Sequence, residues 1–434
     1  MAFVGEKQHV AAGILRAKRT WSKRVGVIPW LFGILGKDET DVVRKNRVRC
    51  SLQLQHPQGR MENMNVSGES KPLVYDLTYE DWEAWVQGQG QPRYRARQIW
   101  EGLYKHLWHR PEDFSTLPKA LREALARDFT FSHLTPVKER QSRDGETHKT
   151  LFHLPDGAAV ETVRMRYVRR RTLCISTQAG CAMGCVFCAT GQLGLLRHLT
   201  PGEIVEQVLY YARKLRAQGD RVTNVVVMGM GEPLHNYAAT LQAMDTLNDP
   251  RGFGLGARRI TISTVGLAPK IRQLAREGKQ YNLAVSLHAA DDDLRSALIP
   301  VARRYPLADL FDACRAYFQA TRRRITFEWT MIRDVNDSPQ QAERLARWIR
   351  EYGLVAHVNV IPLNPTPGYE GRPSPRQRIE AFAAVLEAHG IPCTVRVRRG
   401  IDIQAGCGQL AGERLERGKM ALHVATGKRV GGRA

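Results

Sequence analysis

From about residue 172 to 397, short apolar runs of strand character alternate with stretches in which apolar residues recur every three or four positions. Amphipathic stretches such as EIVEQVLYYARKL and QAERLARWIREY separate six strand-like runs: TLCIST, VTNVVVMG, RITIST, YNLAVSLH, ITFEWTMI and VAHVNVIP. Repeated strand–helix units indicate parallel strands joined by right-handed crossovers. The pattern therefore predicts an α/β fold, a partial (β/α)6 TIM-like barrel whose reactive groups lie at the C-terminal ends of the strands.

Residues 72–135 have a different, helical periodicity. Thr78 and Asp81 resemble a capping box. Apolar residues then recur at helical spacing, at Ala96, Ile99, Trp100, Leu103, Tyr104, Leu107 and Trp108. This stripe is interpreted as core and not as a base-stacking surface, which leaves the nearby Arg93, Arg95 and Arg97 free for phosphates. We expect a small N-terminal helical domain that assists RNA binding.

The remaining segments complete the predicted organisation. Asp144-Gly145 and Asp156-Gly157 are hairpin turn signals and predict a short β-hairpin extension over residues 136–171. Residues 1–71 are interpreted as a basic, disordered extension, or as translated sequence upstream of a true start at Met61 or Met64. Residues 398–434 are expected to form a C-terminal loop followed by a basic tail.

Composition narrows the partners and the compartment. The 434-residue chain has 65 Lys plus Arg against 43 Asp plus Glu, a net charge of +22, which favours a nucleic-acid partner. No apolar run approaches the roughly 18 to 20 residues that a bilayer requires. Eight cysteines crowded in a large chain without a signal peptide indicate metal or redox chemistry in a reducing cytoplasm.

Three of these cysteines, Cys181, Cys185 and Cys188, occur in the octet CAMGCVFC. A structural zinc site needs four ligands, and His198 is a conceivable fourth, but zinc sites usually pair two short ligand turns across a longer loop. Three thiolates on one loop suit a four-iron four-sulfur cluster that leaves one iron open to another ligand. The spacing favours the cluster over zinc.

Polar motifs also follow the other predicted strands, at GMGEP, TISTVG, SLH and NP. Each could be a satisfied polar residue at a strand end. Their recurrence on successive strands favours one shared site instead.

Together these motifs resemble the radical S-adenosylmethionine (SAM) superfamily: the C-x3-C-x2-C loop, an aromatic Phe187 before its last cysteine, and the Gly-Glu-Pro turn. Within it, the chain is similar to the dual-specificity RNA methyltransferases over roughly residues 72–412. The motifs that carry this closer resemblance are TLCISTQAGCAMGCVFCATG, GMGEPLHN, ISTVG, SLH, VIPLNP and GIDIQAGCGQL.

The resemblance implies the cofactors and the residues that hold them. Cys181, Cys185 and Cys188 would hold one [4Fe-4S] cluster, whose open iron takes the amino and carboxylate groups of SAM. Gly231 and Glu232 would hold the methionine amine. The rest of the cofactor would be contacted by residues after later strands, namely Ser263, Ser286, Leu287, His288 and Asn364.

The resemblance further implies methylation of carbon 2 of adenine, which is not a nucleophile and therefore requires a radical route. One SAM molecule methylates Cys407, and the radical from a second activates that methyl group. Glu161 would accept the proton from carbon 2, and Cys174 would release the product by closing a disulfide onto Cys407. From the residues alone, Cys174 is interpreted as a core cysteine, whereas Cys407, between glycines in AGCGQ, is a candidate nucleophile.

The implied substrates are 23S rRNA near the peptidyl-transferase centre and the adenosine 3′ to the tRNA anticodon. The implied partner is a one-electron reductant such as flavodoxin or ferredoxin, and we expect a cytoplasmic monomer. Gln404 and Gly406 depart from the acidic residue and alanine of many relatives, which bears on substrate preference. Two alternatives are kept open: a sister antibiotic-resistance enzyme that methylates carbon 8, and a non-enzymatic RNA-binding protein with a structural metal.

Overall fold

A computed structural model of the chain describes residues 71–410. The predicted basic extension up to residue 70, with Cys50, and the basic tail beyond residue 410 lie outside the described residues. Within the described part, no helix has the length and apolar character needed to cross a bilayer.

Three helices, α1 (Tyr79–Gly88), α2 (Tyr94–Glu101) and α3 (Lys119–Asp128), form the N-terminal part. The Thr78 side chain accepts a hydrogen bond from the Asp81 amide and caps α1, as its sequence predicts. The helical periodicity after Ala96 outlasts α2 because a π-helical turn, Gly102–His106, continues it. The aromatic stripe is core, since Trp82, Trp100 and Tyr104 are all buried.

The prediction that the arginines of this segment are free was wrong. Arg93 pairs with Glu83, and Arg97 Nε lies 3.1 Å from Glu101 Oε1. Both arginines are exposed, and exposed ion pairs of this kind contribute little to stability. Whether residues 72–135 act as a separate RNA-binding domain stays a prediction.

The predicted hairpins form four antiparallel strands: β1 (Thr135–Gln141), β2 (Thr147–His153), β3 (Ala159–Tyr167) and β4 (Arg170–Cys174). They do not form a separate sheet. β4 also pairs in parallel with a later strand and is the first strand of the barrel, so a single ten-stranded sheet runs through both parts.

Two short strands follow β4, namely β5 (Gln178–Gly180) and β6 (Leu195–His198). They pair with each other and enclose the cysteine loop and the short helix α4 (Ala189–Gln192). Gly180 has a φ of +78°, and a Cβ there would lie 2.0 Å from the Gly194 carbonyl oxygen, so only glycine fits. Strands this short carry too little periodicity to be predicted.

The barrel strands continue as β7 (Asn224–Val227), β8 (Ile260–Thr264), β9 (Asn282–Ser286), β10 (Ile325–Met331), β11 (Ala356–Pro362) and β12 (Cys393–Val395). All pair in parallel, in the order β4, β7, β8, β9, β10, β11, β12. The ends of this order do not pair, so the barrel is partial, as predicted. The six predicted strands are present, and β12 adds a seventh.

The crossovers are helical. They comprise α5 (Pro201–Arg216), α6 (Tyr237–Asn248), α7 (Ala268–Arg276), α8 (Asp292–Leu298), α9 (Leu307–Thr321), α10 (Pro339–Glu351) and α11 (Arg376–Ala388). α5 and α10 match the amphipathic stretches chosen from the sequence. α5 begins at a capping box, in which the Thr200 side chain accepts from the Glu203 amide and Pro201 occupies the first turn.

A buried glutamine on α5 fixes the end of β4. Gln207 Oε1 accepts hydrogen bonds from the Ser176 amide at 2.8 Å and from Thr162 Oγ1 at 2.7 Å. Its Nε2 donates to the Ser176 carbonyl at 2.9 Å. One side chain therefore satisfies backbone that has just left the sheet, and it ties the cysteine loop's origin to α5.

We expect Gln207→Leu to destabilise the protein by roughly 3 kcal/mol, because it leaves three buried polar groups unpaired. Urea unfolding under anaerobic conditions measures the change. The matched control is Gln319→Leu on the exposed face of α9, which should alter stability by less than about 0.5 kcal/mol. Equal effects of the two changes would contradict this account of Gln207.

Candidate active site

The predicted site residues lie at one edge of the parallel sheet. Cys181 lies beyond the end of β4, Glu232 follows β7 and Asn364 follows β11. Ser263 and Ser286 are at the C-terminal ends of β8 and β9. Side-chain contacts cross between these strand ends: Glu232 reaches the Val265 amide after β8, and the Phe187 ring lies 4.9 Å from the His288 ring after β9. The strand-end prediction therefore corresponds to a real cluster in space.

The cysteine loop buries its thiols. Cys181 and Cys185 are buried, Cys188 is half-buried, and the Cys181 amide donates to the Gly194 carbonyl at 2.8 Å. Burial raises the pKa of Cys181 to about 12 and that of Cys185 well above its usual value, and the neighbouring thiols and Glu232 raise both further. Burial disfavours the thiolate forms, and the positive charge of a bound iron–sulfur cluster would favour them.

A single zinc ion does not fit this arrangement. Within residues 71–410, no three His, Cys, Asp or Glu side chains are placed to hold one metal ion. His198, the conceivable fourth ligand, lies on β6, where its Nδ1 is 2.9 Å from the side-chain Nε2 of Gln178 and its ring is 5.0 Å from the His235 ring. In a cluster each thiolate holds its own iron, so the thiols need not converge.

Glu232 is a buried carboxylate beside the thiols. Its Oε1 accepts from the Leu234 amide at 3.0 Å and its Oε2 from the Val265 amide at 2.8 Å. Burial raises its pKa to about 7, although these hydrogen bonds oppose the rise. A cation beside it would favour the charged form. The α-ammonium of an amino acid fits that position.

Gly231 allows this turn to pass close to the strand beside it. Its φ is +104°, and a Cβ there would lie 2.6 Å from the Gln178 Cβ. The Gln178 side chain in turn accepts a hydrogen bond from the Glu232 amide at 2.8 Å. The glycine is therefore required by both backbone conformation and contact.

His288 follows β9 in a left-handed conformation, with φ of 61°. Its Nδ1 accepts from the Thr330 amide at 2.9 Å, and burial lowers its pKa to about 3, so the ring is neutral. The adjacent Leu287 is fully buried and Ser286 is half-buried. This turn presents backbone and a neutral ring to the site, with no added charge.

Asn364 links the end of β11 to the loop that carries Cys407. Its Nδ2 donates to the Cys407 carbonyl at 3.1 Å. Its Oδ1 is buried and has no hydrogen-bond partner among the described residues. A buried acceptor without a donor is costly, which fits a bound molecule that supplies one.

The Cys407 loop is docked on the cysteine loop. The Ala189 amide donates to the Gly408 carbonyl at 2.8 Å, and Thr190 Oγ1 donates to the Leu410 carbonyl at 3.0 Å. The Cys407 side chain is exposed to solvent, yet the protein surrounding it raises its pKa. It interacts electrostatically with Cys188.

Cys174, at the end of β4, is the second thiol near Cys407. It is half-buried, and burial together with the Cys407 charge raises its pKa far above the usual value. Its side chain packs against the hydrophobic core but is only partly buried, so the core interpretation holds in part. The proximity to Cys407 is what the residues alone did not reveal.

Glu161 lies on β3 at the same edge. Val163 on β3 pairs with Cys174, the last residue of β4, in the antiparallel ladder. Glu161, two residues before Val163, therefore lies just past the end of β4, where Ser176 Oγ donates to the Glu161 carbonyl at 2.7 Å. Its carboxylate is buried, and Oε1 lies 2.8 Å from Lys149 Nζ. Lys149 is a residue that sequence reasoning missed, because a lone lysine in a strand resembles a surface residue.

A further buried carboxylate, Glu328 on β10, was also missed. Asn359 Nδ2 donates to its Oε1 at 2.8 Å, and its charge contributes to the raised pKa of Cys407. The alternation of β10 places it inside the barrel. A polar residue at an inward position is the signal that could have identified it.

A separate cavity lies at the other end of the barrel. It measures about 520 Å³ and lies where β7 and β8 begin. Five basic residues line it: Lys105, Arg169, Arg216, Arg221 and Arg259. None of the predicted site residues does. The cavity is a candidate for phosphate contact and not for the chemistry.

Residues 175–349 match the Radical SAM superfamily. The chain is 52% identical over 337 residues to the dual-specificity RNA methyltransferase RlmN 1 of Myxococcus xanthus, covering 78% of this chain and 93% of that protein. It is 51% identical over 348 residues to the probable dual-specificity RNA methyltransferase RlmN of Chloroflexus aurantiacus, covering 78% and 92%.

A solved structure is also similar. The crystal structure of a radical SAM methyltransferase from Sphaerobacter thermophilus is 52% identical, with a TM-score of 0.76, and the match covers 79% of this chain and 99% of that one. These similarities confirm the predicted resemblance and fold class.

Proposed function

The chain belongs to the RlmN family of dual-specificity RNA methyltransferases, within the radical SAM superfamily, and from this premise we propose that it methylates carbon 2 of adenosine in 23S rRNA and tRNA. The rRNA target lies at the peptidyl-transferase centre, and the tRNA target is the adenosine 3′ to the anticodon. The observation that supports the proposal is the docking of the loop that bears Cys407 against the segment directly after Cys188, where the Ala189 amide donates to the Gly408 carbonyl at 2.8 Å.

The family uses one [4Fe-4S] cluster and SAM, which when bound supply a 5′-deoxyadenosyl radical. The buried thiols of Cys181, Cys185 and Cys188 would hold the cluster. The Glu232 carboxylate would hold the methionine ammonium where Gly231 turns the chain, and the Asn364 Oδ1 would accept from the cofactor. Ser263 and the segment from Ser286 to His288 complete the wall.

The remaining residues handle the methyl group and the proton. The exposed Cys407 thiol would carry the methyl group as an S-methylcysteine, on a loop that is docked beside the cysteine loop. Glu161, whose Oε1 lies 2.8 Å from Lys149 Nζ, would accept the proton from carbon 2. Cys174 then forms a disulfide with Cys407 and so releases the methylated base.

Partners and compartment complete the proposal. The net charge of +22 and the basic cavity favour RNA, with residues 72–135 as the accessory domain. A flavodoxin- or ferredoxin-like protein would donate single electrons, and the enzyme would act as a cytoplasmic monomer. Because the family consists of enzymes, the non-enzymatic alternative is set aside.

The direct test is mass spectrometry of nucleosides from rRNA and tRNA treated with the reduced, reconstituted protein. We expect 2-methyladenosine in both RNAs, and none with Cys407→Ala. Cys393→Ala, a half-buried cysteine on β12, is the matched control and should retain activity. Formation of 8-methyladenosine would support the sister enzyme instead, and absence of both products would refute the proposal.

The cluster assignment predicts colour. Anaerobically purified protein should be brown and contain about four irons per chain, and Ala at Cys181, Cys185 or Cys188 should abolish both. Cys314→Ala, which removes a thiol buried in α9, should keep them. A colourless protein that holds zinc would contradict the assignment.

The role of Cys174 predicts a trapped intermediate. With Cys174→Ala, turnover should stop after about one event per molecule, and protein crosslinked to RNA should accumulate. Denaturing gels with and without nuclease measure the adduct, and Cys393→Ala should form none. Clean multiple turnover by Cys174→Ala would show that another group resolves the adduct.

A further inference from the structure

Lys149 and Glu161 form an ion pair inside the protein. Lys149, on β2, is 2% exposed, Glu161, on β3, is 0% exposed, and Nζ lies 2.8 Å from Oε1. In the β-ladder Lys149 faces Val163 while Leu151 faces Glu161, so the pair is diagonal on one face of the sheet. Position in the ladder and length of side chain together bring the charges into contact.

Such a pair is weak evidence for a stabilising role. Removing two charges from water costs several kcal/mol per ion, and apolar residues of similar volume often stabilise as well or better. β2 and β3 otherwise bury mostly apolar or hydroxyl side chains. A lysine at this position therefore calls for an explanation beyond packing.

The second contact of the ammonium supplies one. Lys149 Nζ also donates to the Gln404 carbonyl at 3.2 Å. Gln404 has a φ of 54°. The amide of the next residue, Ala405, donates to the Gly400 carbonyl at 2.8 Å, and because this amide shares a peptide plane with the Gln404 carbonyl, the bond holds the Gln404 carbonyl in place. Cys407 follows three residues later on the same loop.

One ammonium thus joins two groups that the reaction must align. Glu161 reaches the site from β3, and Cys407 reaches it from the C-terminal loop. The two residues are 246 positions apart along the chain. A buried charge–charge contact and a charge-assisted hydrogen bond fix direction as well as distance. A misplacement of about 1 Å between reacting groups costs up to about 10²-fold in rate.

We propose that Lys149 is a positioning residue that aligns the Glu161 carboxylate with the Cys407 loop for the proton-removal step. The inference rests on the proposed role of Glu161. Lys149 touches neither the RNA base nor the cofactor in this role. It acts through Glu161, and through the backbone at Gln404.

The test follows single turnovers of protein that is already methylated at Cys407. The variants are Lys149→Met, Glu161→Gln and the double variant, and the measured rate is the decay of the protein–RNA adduct together with formation of 2-methyladenosine. Methylation of Cys407 itself, followed by mass spectrometry of the protein, reports the earlier step that does not use Glu161.

We expect Lys149→Met to methylate Cys407 as fully as the wild type and to resolve the adduct roughly 10- to 100-fold more slowly. Because Lys149 acts through Glu161, the double variant should be no slower than Glu161→Gln alone. Lys149→Arg keeps the positive charge and can donate to both partners, so it should resolve the adduct faster than Lys149→Met but more slowly than the wild type.

The matched control is Thr147→Val, on the same strand. Thr147 is buried and lies against Gly400 of the same loop: its Cγ2 is 2.7 Å from where a Gly400 Cβ would be. The change keeps the shape of the side chain and should leave both steps unchanged. If Lys149→Met does not fold, Lys149→Gln keeps a donor for the Gln404 carbonyl without the charge and is expected to slow resolution likewise.

Three results would overturn the inference. The first is adduct resolution at the wild-type rate by a folded Lys149→Met or Lys149→Gln variant, and the second is a double variant that resolves the adduct more slowly than Glu161→Gln alone. The third is a loss of Cys407 methylation in Lys149→Met as large as its loss of adduct resolution. The proposed function fails in a different way. If Glu161→Gln resolves the adduct at the wild-type rate, the role of Glu161 is wrong whatever Lys149 does, and the inference falls with it.

Discussion

Parallel pairing of β4 with β7 through β12 is the constraint on which the rest of the structure depends. Parallel strands end at one edge, so residues separated by up to about 200 positions along the chain are brought together without any specific long-range motif. The antiparallel strands extend the rule: pairing of Val163 with Cys174 carries Glu161 to the same edge from the opposite direction. Gln207 then holds the backbone at Ser176, where the two parts of the sheet meet.

This edge was predictable because its causes are local in sequence. Strand-length apolar runs, amphipathic crossovers and short polar motifs after strands were enough to locate the thiol loop, Glu232 and Asn364. β12 and the β5–β6 hairpin were not predictable, because three or four residues show no period and their formation depends on neighbours already in place. The ion pairs of the N-terminal arginines were also missed. Glu101 lies one helical turn after Arg97, and Glu83 lies in the helix before Arg93.

Within the site, burial and charge decide what each residue can do. Desolvation raises the pKa values of Cys181, Cys185 and Glu232 together, so burial alone favours their neutral forms. A cationic iron–sulfur core and an ammonium group would favour the charged thiolates and carboxylate instead, because each offsets the charges of its neighbours. The site therefore suits positively charged partners, and the iron–sulfur core and the ammonium of SAM, which the family uses, carry such charges.

The two cysteines proposed to transfer and release the methyl group occupy different environments, and the difference suits the roles proposed for them. Cys174 belongs to a sheet strand, so its position is fixed by the ladder on both sides. Cys407 lies in a loop that contacts the cysteine loop through Gly408 and Leu410, the end of β11 through Asn364, and β2 through Gln404. A methyl carrier must meet a methyl donor, a base and a resolving thiol in turn, which one rigid strand cannot arrange. A loop anchored at several points, with its thiol exposed between them, satisfies all three requirements, and the anchor at Lys149 is the one that also contacts Glu161, the proposed proton acceptor.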